Sequence, residues 1–272
     1  MSTDNEKELA YRYDLFVAPD WEERFDTLAG ENVEIPVEGV ALEVNCGTGA
    51  SAVELAGLVK DKGGEVIGVD PSDARLELAR ARASVLKLDN IAFQTANGTD
   101  LPFEEDRFDT VIGDGSLLGP AQIEATLVEM LRVARPGATV VLKITTRGSF
   151  DEFFSVYWEA LHDCQLDEQA WERLELMINE RLTVSAAEEM AVRAGLRNVN
   201  GVTSKEEFSY ESGADFLDAP LIADNFLSEW LSIVPKEDRA EVKRRISEVI
   251  DRERHDGPFD LSIKATLISG SK

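Results

Sequence analysis

The sequence predicts an α/β fold built on a doubly wound, mainly parallel β-sheet. Strand and helix patterns alternate from about residue 40 to about residue 147, and the strand segments are almost continuously apolar. Strands of this kind are typical of a parallel sheet that helices cover on both faces. The chain has 272 residues, of which 43% are hydrophobic, which is enough for one large α/β domain, with or without an insertion.

Five strands are expected in this part of the chain. Their apolar segments are VALEVN (40–45), EVIGVD (65–70), NIAFQTAN (90–97), RFDTVIGD (107–114) and ATVVLKITT (138–146). Helical periodicity follows the first strand in ASAVELAGLVKDKG, the second in DARLELARARASVLKL and the fourth in IEATLVEMLRVA. Pro71 and Ser72 are residues that commonly begin a helix, and the turn RPGA separates the last of these helices from the fifth strand.

The remainder of the chain has a different pattern. Residues 150–182 are helical in periodicity and rich in aromatic side chains, and SAAEEMAVRAGL (185–196) is a capped helix. Strands are expected at 198–210 and 259–270, with helical segments between them. The sequence therefore divides into an N-terminal helical segment (1–35), a core (36–147), a helical insertion (148–183) and a C-terminal part of the core (184–272) with a second helical insertion at 211–256.

Composition and charge limit the classes of function. The N-terminal stretch MSTDNEKELAYRYDLF is polar and charged, so it predicts neither a signal peptide nor a membrane span. The net charge of −25 repels phosphate backbones and anionic lipid headgroups, which argues against nucleic-acid substrates. Cys46 and Cys164 lack metal-ligand or redox spacing, and no metal site is expected. Such cysteines suit a reducing cytoplasm.

The stretch ALEVNCGTGASAVELA (41–56) is the strongest local signal of a ligand. It runs from an apolar strand through a turn of small residues into a helix, and Gly47 to Ala52 match the pattern G-x-G-x-x-A. Glycines at such a turn let a ligand approach the backbone closely. Asp70 ends the next strand, where a carboxylate can accept hydrogen bonds from both hydroxyl groups of an adenosine ribose. These features fit either a nicotinamide dinucleotide or S-adenosylmethionine.

Three further features favour S-adenosylmethionine. Glu43 lies just before the turn, where it would repel a pyrophosphate and attract the cationic methionine part of S-adenosylmethionine. The segment ANGTDLPFEEDRFDTVI (96–112) places Leu-Pro-Phe between two polar turns, and EMLRVARPGATVVL (129–142) passes from a helix through a Pro-Gly turn into a strand. A nicotinamide-dependent oxidoreductase would also need a motif such as Tyr-x-x-x-Lys, which neither Tyr157 nor Tyr210 begins.

In this order and spacing, the motifs resemble the class I S-adenosylmethionine-dependent methyltransferases, and more narrowly the small-molecule branch that includes enzymes of ubiquinone and menaquinone biosynthesis. The resemblance is close over about residues 8–147 and looser over 184–210 and 259–270. It implies a Rossmann-like seven-stranded sheet whose last strand is antiparallel. It also implies in-line transfer of a methyl group from S-adenosylmethionine to a small-molecule acceptor, leaving S-adenosylhomocysteine. A sensor or partner protein that binds S-adenosylmethionine without catalysis is the alternative.

The resemblance also implies which residues hold the methionine end of the cofactor. Glu43 occupies the position of the acid that holds the ammonium group, often through water. Gly47 and Gly49 match the glycines that pass under methionine and ribose. Asn45 replaces a third glycine of the family pattern, and because Asn tolerates positive φ better than other non-glycine residues, the turn is expected to survive.

At the adenosine end, Asp70 matches the ribose-binding acid and Pro71 the apolar residue that packs on the adenine face. Asn97, with Gly98 beside it, stands where the family often has an Asp that contacts the adenine amino group. The side-chain carbonyl of Asn97 can accept the same hydrogen bond. Asp114, at the carboxyl end of the fourth strand, lies where open α/β sheets bind ligands. We expect it either to touch the methionine moiety or the acceptor, or to cap a helix or loop.

Recognition of the acceptor is expected to lie outside the sheet. The N-terminal segment contains Tyr13 and Asp14, which resemble a Tyr-Asp pair that lies close to the cofactor in the related branch. This segment and the aromatic insertions are expected to form a helical lid over an apolar or aromatic acceptor; ordinary core packing of the aromatic residues and, for 211–256, a homodimer surface are the alternatives. Candidate general bases are His162, His255, Asp114 and glutamates of the insertions, and no motif singles one of them out.

Overall fold

The computed structural model describes residues 3–36, 38–166, 168–254 and 257–272. The described residues fall into two compact units. Unit 1 comprises the described chain up to Ile144 together with Thr183–Ser204 and Ala265–Lys272. Unit 2 comprises the described residues of Thr145–Leu182 and Lys205–Lys264, and it contains both aromatic-rich helical segments that the sequence indicates.

A seven-stranded sheet has the strand order β3-β2-β1-β4-β5-β7-β6. Its strands are β1 (Val40–Val44), β2 (Glu65–Asp70), β3 (Ile91–Thr95), β4 (Phe108–Asp114), β5 (Ala134–Thr145), β6 (Arg197–Tyr210) and β7 (Phe259–Ser271). The first five strands pair in parallel, and Leu42 of β1 lies opposite Ile67 on one side and Val111 on the other. The first strand therefore has a neighbour on each side, and it is buried from Ala41 to Val44, as the continuous apolar pattern predicts.

The strand β7 lies between β5 and β6 and is antiparallel. The backbone N–H of Gly137 donates to the carbonyl of Lys272 (2.9 Å), and the N–H of Lys272 donates to the carbonyl of Ala138 (3.1 Å). The predicted seven-stranded sheet with an antiparallel last strand is thus confirmed. The largest difference in a strand boundary is at β5, which begins at Ala134, because the turn RPGA continues the pairing with β4 through a shift in register after Phe108.

Eleven α-helical segments connect these strands within the described residues. They are α1 (Thr3–Arg12), α2 (Glu23–Asn32), α3 (Ala50–Val59), α4 (Asp73–Val85), α5 (Pro120–Val133), α6 (Asp151–Asp163), α7 (Glu168–Asn179), α8 (Val184–Ala194), α9 (Gly213–Asp218), α10 (Leu227–Trp230) and α11 (Arg239–Glu253). The hydroxyl oxygens of Ser72 and Thr183 accept backbone N–H groups at the starts of α4 and α8. Gly195 ends α8 with a left-handed backbone, φ 110°.

The N-terminal segment is helical from Thr3 to Asn32, but its middle part is not an α-helix. Tyr13–Glu22, called the π segment below, forms wide π-helical turns between α1 and α2. It contains Pro19, which lacks a backbone N–H and is incompatible with the regular α-helical hydrogen-bond pattern. The buried face of the π segment and α2 contains Trp21 and Phe25, both with no exposed surface. The sequence predicts a helix here but not its wide turns.

Unit 2 has its own core, which consists largely of aromatic rings. Phe153 stacks on Trp230 with ring centroids 4.1 Å apart, and Phe226 lies parallel to Trp230 at 5.2 Å. The hydroxyl of Tyr157 donates to the backbone carbonyl of Trp230 at 2.7 Å. Ordinary core packing, the alternative to a lid over the acceptor, therefore accounts for these buried rings. Trp158 differs from them because it is 42% exposed.

Candidate functional site

The turn after β1 contains residues with a left-handed backbone. The φ angles are 58° at Asn45, 55° at Gly47 and 74° at Gly49. A Cβ atom on Gly49 would lie 2.6 Å from the Cβ of Ala79, so this glycine allows α3 and α4 to pack closely. A Cβ atom on Gly47 would lie 2.6 Å from Oε1 of Glu22. The turn therefore has room for an acidic side chain directly against its backbone at Gly47.

Asp70 connects the end of β2 to this turn. Its Oδ2 accepts the backbone N–H of Gly47 at 3.0 Å, and its Oδ1 accepts the backbone N–H of Ser72 at 2.9 Å. Burial raises the pKa of Asp70 above its ordinary value, while the charge of Arg75 and the two backbone donors oppose that rise. Each carboxylate oxygen can accept a further hydrogen bond, as binding to a ribose requires.

Four buried or partly buried charged side chains, called the charge cluster below, lie together on one face of the sheet: Asp26, Glu43, Asp114 and Lys143. The Nζ of Lys143 lies 2.7 Å from Oδ1 of Asp26, 3.5 Å from Oδ2 of Asp114 and 4.0 Å from Oε1 of Glu43. Asp114 lies opposite Lys143 in the sheet, and Glu43 lies opposite Ile112, so alternation along the strands places the three on the same face. The sequence identifies Glu43 and Asp114 but not Lys143, because one lysine in an apolar strand forms no motif.

Glu43 has an unsatisfied carboxylate oxygen. The side chain is 2% exposed, and its Oε2 has no hydrogen-bond partner among the described residues. Burial raises the pKa of Glu43 to about 7, although the charge of Lys143 opposes this. A buried oxygen without a partner is unfavourable, and a cationic donor placed against it would satisfy the oxygen and favour the ionised form.

Asp114 and Asn45 connect the carboxyl ends of β4 and β1. The side-chain nitrogen of Asn45 donates to the backbone carbonyl of Asp114 at 2.8 Å. Oδ1 of Asp114 accepts the backbone N–H of Ser116 at 2.8 Å, so Asp114 caps the loop after β4 in addition to facing Lys143. The indole Nε1 of Trp21 donates to Oγ of Ser116 at 2.8 Å, which attaches the π segment to the same loop.

The remaining positions implied by the resemblance lie after β2 and β3. Pro71 and Asn97 are exposed, whereas Gly98 is buried, and a Cβ atom on Gly98 would lie 3.0 Å from Oδ1 of Asn45. Oδ1 of Asn97 accepts the backbone N–H of Thr99 at 3.1 Å and its hydroxyl at 3.0 Å. Because this oxygen already accepts two hydrogen bonds, contact with an adenine amino group would require it to release one.

Tyr13 forms a buried pair that includes a residue the sequence does not single out. Its hydroxyl donates to Oε1 of Glu22 in a short hydrogen bond, and the guanidinium of Arg75 lies 3.7 Å from the centre of its ring. Burial, together with the charge of Asp114, raises the pKa of Glu22 to about 8. Asp14 instead forms an ion pair with Arg82 at 2.7 Å. A glutamate in a charged N-terminal segment resembles a surface residue, so no local signal identifies Glu22.

The surroundings of the described candidates do not single out one of them as a general base. The side chain of His162 is 70% exposed, and its ring stacks on Trp171 with centroids 6.0 Å apart. His255 lies outside the described residues. Asp114 belongs to the charge cluster, where Lys143 holds it in an ion pair.

Comparisons with known proteins identify the domain. Residues 41–137 match a family described as a methyltransferase domain. A demethylmenaquinone methyltransferase of Symbiobacterium thermophilum is 38% identical over 125 residues, which are 43% of this chain and 48% of that enzyme. The chain spans about half the length of the curated relatives it matches.

Solved structures share the fold over most of the chain. The YcgJ protein of Bacillus subtilis has a TM-score of 0.59 at 18% identity, covering 92% of this chain and 98% of that chain. Phosphoethanolamine N-methyltransferase 2 of Haemonchus contortus, crystallised with phosphomonomethylethanolamine and S-adenosylhomocysteine, has a TM-score of 0.52 at 15% identity, covering 93% of this chain and 53% of that chain. At these identities the likeness concerns the fold alone. The family match covers the cofactor motifs, and there it confirms the resemblance found in the sequence: residues 41–137 are similar to a methyltransferase domain.

Proposed function

We propose that this chain transfers the methyl group of S-adenosylmethionine to a small-molecule acceptor. The observation that carries the proposal is the unpartnered Oε2 of Glu43, buried beside a glycine turn to which Asp70 is also joined. An ammonium group fits Glu43 and a pair of ribose hydroxyls fits Asp70, and S-adenosylmethionine contains both. The pyrophosphate of a dinucleotide would instead be repelled by the negative charge of Glu43 at the same turn.

The proposed site uses the positions that match the family motifs. The methionine end would be held by Glu43, Asn45, Gly47 and Gly49. The adenosine would be held by Asp70, Pro71, Asn97 and Gly98. The reacting centre would lie next to Tyr13 and Asp114. When bound, S-adenosylmethionine supplies an electrophilic methyl group. The protein then aligns the acceptor with that group and excludes water, and no residue needs to form a covalent bond.

The acceptor is proposed to be apolar or aromatic and to be chosen by residues 1–25, 150–182 and 211–256. Support comes from the matched curated relatives, which are named for a quinone acceptor, demethylmenaquinone. Exposed Trp158 belongs to one of these segments. We assign no general base. A homodimer formed through 211–256 is the competing role for that segment, and sedimentation velocity of the full chain would detect it.

The place of action is proposed to be the cytoplasm. In the part of the chain that the structure describes, no helix is both long enough and apolar enough to cross a membrane. Cys46 and Cys164 are not joined in a disulfide, which agrees with a reducing compartment. Fractionation of cells that express the tagged full chain would test this assignment.

Calorimetry and a methylation assay test the proposed function. We expect micromolar binding of S-adenosylmethionine or S-adenosylhomocysteine and no measurable binding of NAD or NADP. In the presence of pooled acceptors, including naphthoquinones and phenols, release of S-adenosylhomocysteine should follow. Tighter binding of NAD than of S-adenosylhomocysteine would contradict the cofactor assignment. Cofactor binding without turnover on any acceptor would favour the non-catalytic sensor.

A further inference from the structure

We propose that Glu22 recognises the positive charge on the sulfur of S-adenosylmethionine and thereby makes the site prefer the methyl donor to its product. This inference rests on the proposed cofactor site. The donor and S-adenosylhomocysteine share the adenosine, the ammonium and the carboxylate. They differ in the methyl group and in the single positive charge that the methylated sulfur bears. A residue that distinguishes them must therefore respond to that charge or that methyl group.

The position of Glu22 follows from its contacts at the glycine turn. The backbone N–H of Gly47 donates to Asp70. The place where a side chain on Gly47 would begin is occupied by Oε1 of Glu22. Glu22 also lies within the electrostatic reach of Asp114 and Lys143, the neighbours of Glu43 in the charge cluster. Glu22 thus lies against the glycine that Asp70 holds, and within electrostatic reach of the lysine that pairs with Glu43. In the cofactor, the sulfur lies between the ribose and the carbon that bears the ammonium.

The carboxyl group of Glu22 is paired with a neutral group and not with a cation. It is 6% exposed, and the side-chain partner at its Oε1 is the neutral hydroxyl of Tyr13. None of the ion pairs between described residues includes it, although Lys143 lies within electrostatic reach and Arg75 lies over the ring of Tyr13. A buried carboxylate without a cation is unfavourable, and perturbed groups of this kind concentrate at functional sites. A cationic sulfur beside Glu22 would supply the missing charge.

The protonation of Glu22 adds a second, independent readout. Burial raises its pKa to about 8, so the carboxyl group holds a proton at neutral pH in the free protein. The titratable and charged groups that act on it are Tyr13, Asp26, Cys46, Asp114 and Lys143. A positive charge on the bound sulfur would lower this pKa and release the proton, whereas the neutral sulfur of the product would not. Binding of the donor should therefore release more protons than binding of the product.

The test measures the dissociation constants of S-adenosylmethionine and S-adenosylhomocysteine separately. In Glu22→Gln, we expect the affinity for S-adenosylmethionine to fall by about tenfold or more, as for loss of a partly buried charge pair. The affinity for S-adenosylhomocysteine should change by less than about twofold. Glu23→Gln makes the same substitution at the next, exposed position and should leave both constants unchanged.

Proton release is measured with the unaltered protein, by calorimetry at pH 7.5 in buffers of different ionisation enthalpy. We expect release for S-adenosylmethionine to exceed release for S-adenosylhomocysteine, and the difference to vanish in Glu22→Gln. Equal weakening of both ligands in Glu22→Gln, or equal proton release in the unaltered protein, would overturn the inference while leaving the cofactor site in place. If the unaltered protein binds neither ligand, it is the proposed function itself that fails.

Discussion

At the scale of single residues, Lys143 is the side chain on which the other charges of the site depend. Burial favours its neutral amine, but the carboxylates of Asp26, Asp114 and Glu43 hold the pKa of Lys143 well above its usual range. The lysine therefore stays charged, and in turn it limits the rise in the pKa of Glu43 and Glu22. The charge cluster as a whole remains acidic, which suits a cationic ligand.

We expect Lys143→Met to destabilise the protein by about 3–5 kcal/mol at pH 8, because it leaves buried carboxylates without a cation. The loss should be smaller at pH 6, where Glu43, whose pKa burial raises to about 7, can take up a proton. Urea unfolding of the full chain at the two pH values measures both quantities. Lys62→Met, at an exposed position just after α3, is the matched control. Equal losses at the two pH values would show that lost packing, not charge, is responsible.

Asp70→Ala should weaken binding of S-adenosylhomocysteine by at least about tenfold. Its two carboxylate oxygens are expected to accept two charge-assisted hydrogen bonds from the ribose, each worth roughly 1.5–3 kcal/mol. Circular dichroism must show that the variant still folds, since Asp70 also accepts the backbone N–H groups of Gly47 and Ser72. Asp73→Ala, an exposed aspartate in the first turn of α4, serves for comparison. Unchanged affinity in folded Asp70→Ala would place the ribose elsewhere.

At the scale of secondary-structure elements, the π segment connects the N-terminal helices to the site. Pro19 prevents a regular α-helix, and the wider turns bring Tyr13 and Glu22 into contact although they are nine positions apart in the sequence. Trp21 then joins the loop after β4 through Ser116, while Arg82 of α4 pairs with Asp14. The segment therefore contacts the elements around the glycine turn on two sides.

Removal of the Ser116 hydroxyl tests this attachment. In Ser116→Ala, the indole N–H of Trp21 stays buried without that acceptor, which should cost about 1–3 kcal/mol. Hydrogen exchange followed by mass spectrometry should show faster exchange in Tyr13–Glu22 than in β1, whose hydrogen bonds are unaffected. Ser84→Ala, on the exposed face of α4, should leave both regions unchanged. Exchange that rises uniformly over unit 1 would mean that the segment does not open on its own.

At the scale of the whole molecule, the sheet could be predicted because its information is local. Apolar strands, a glycine turn and capped helices each lie within a dozen or so residues, and the order of these patterns determines a doubly wound sheet. Asn45 illustrates this: its positive φ follows from the residues of its own turn. The same reasoning located Glu43 and Asp70 at the carboxyl ends of neighbouring strands, where the structure places them.

The features that sequence patterns miss depend on contacts between distant segments. Lys143 and Asp26 are 117 positions apart, and neither belongs to a motif. Glu22 is buried only because the π segment turns it towards Gly47. An aromatic-rich sequence such as that of unit 2 is typical both of a ligand pocket and of a hydrophobic core. Only contacts between the rings, such as that of Phe153 with Trp230, show that these side chains form a core.

The pH dependence of stability is a property of the whole molecule that follows from these buried acids. The pKa of Glu22 rises from 4.5 to about 8 and that of Glu43 to about 7, in both cases chiefly through burial. The folded protein therefore binds more protons than the unfolded chain between about pH 4.5 and 8. The free energy of unfolding consequently falls as the pH rises through this window, by an amount on the order of a few kcal/mol.

Urea unfolding of the ligand-free protein from pH 5 to pH 8.5 measures this fall. Repulsion among the acidic surface groups of a chain with net charge −25 acts in the same direction, so the contribution of the buried acids needs its own comparison. The double variant Glu22→Gln/Glu43→Gln removes the two buried groups, whereas Glu23→Gln/Glu54→Gln removes the same charge from exposed positions. Only the first should flatten the dependence between pH 5 and 8. If both double variants keep the slope of the unaltered protein, the two glutamates are ionised in the ligand-free fold, and the proton release expected on binding of the methyl donor would also be absent.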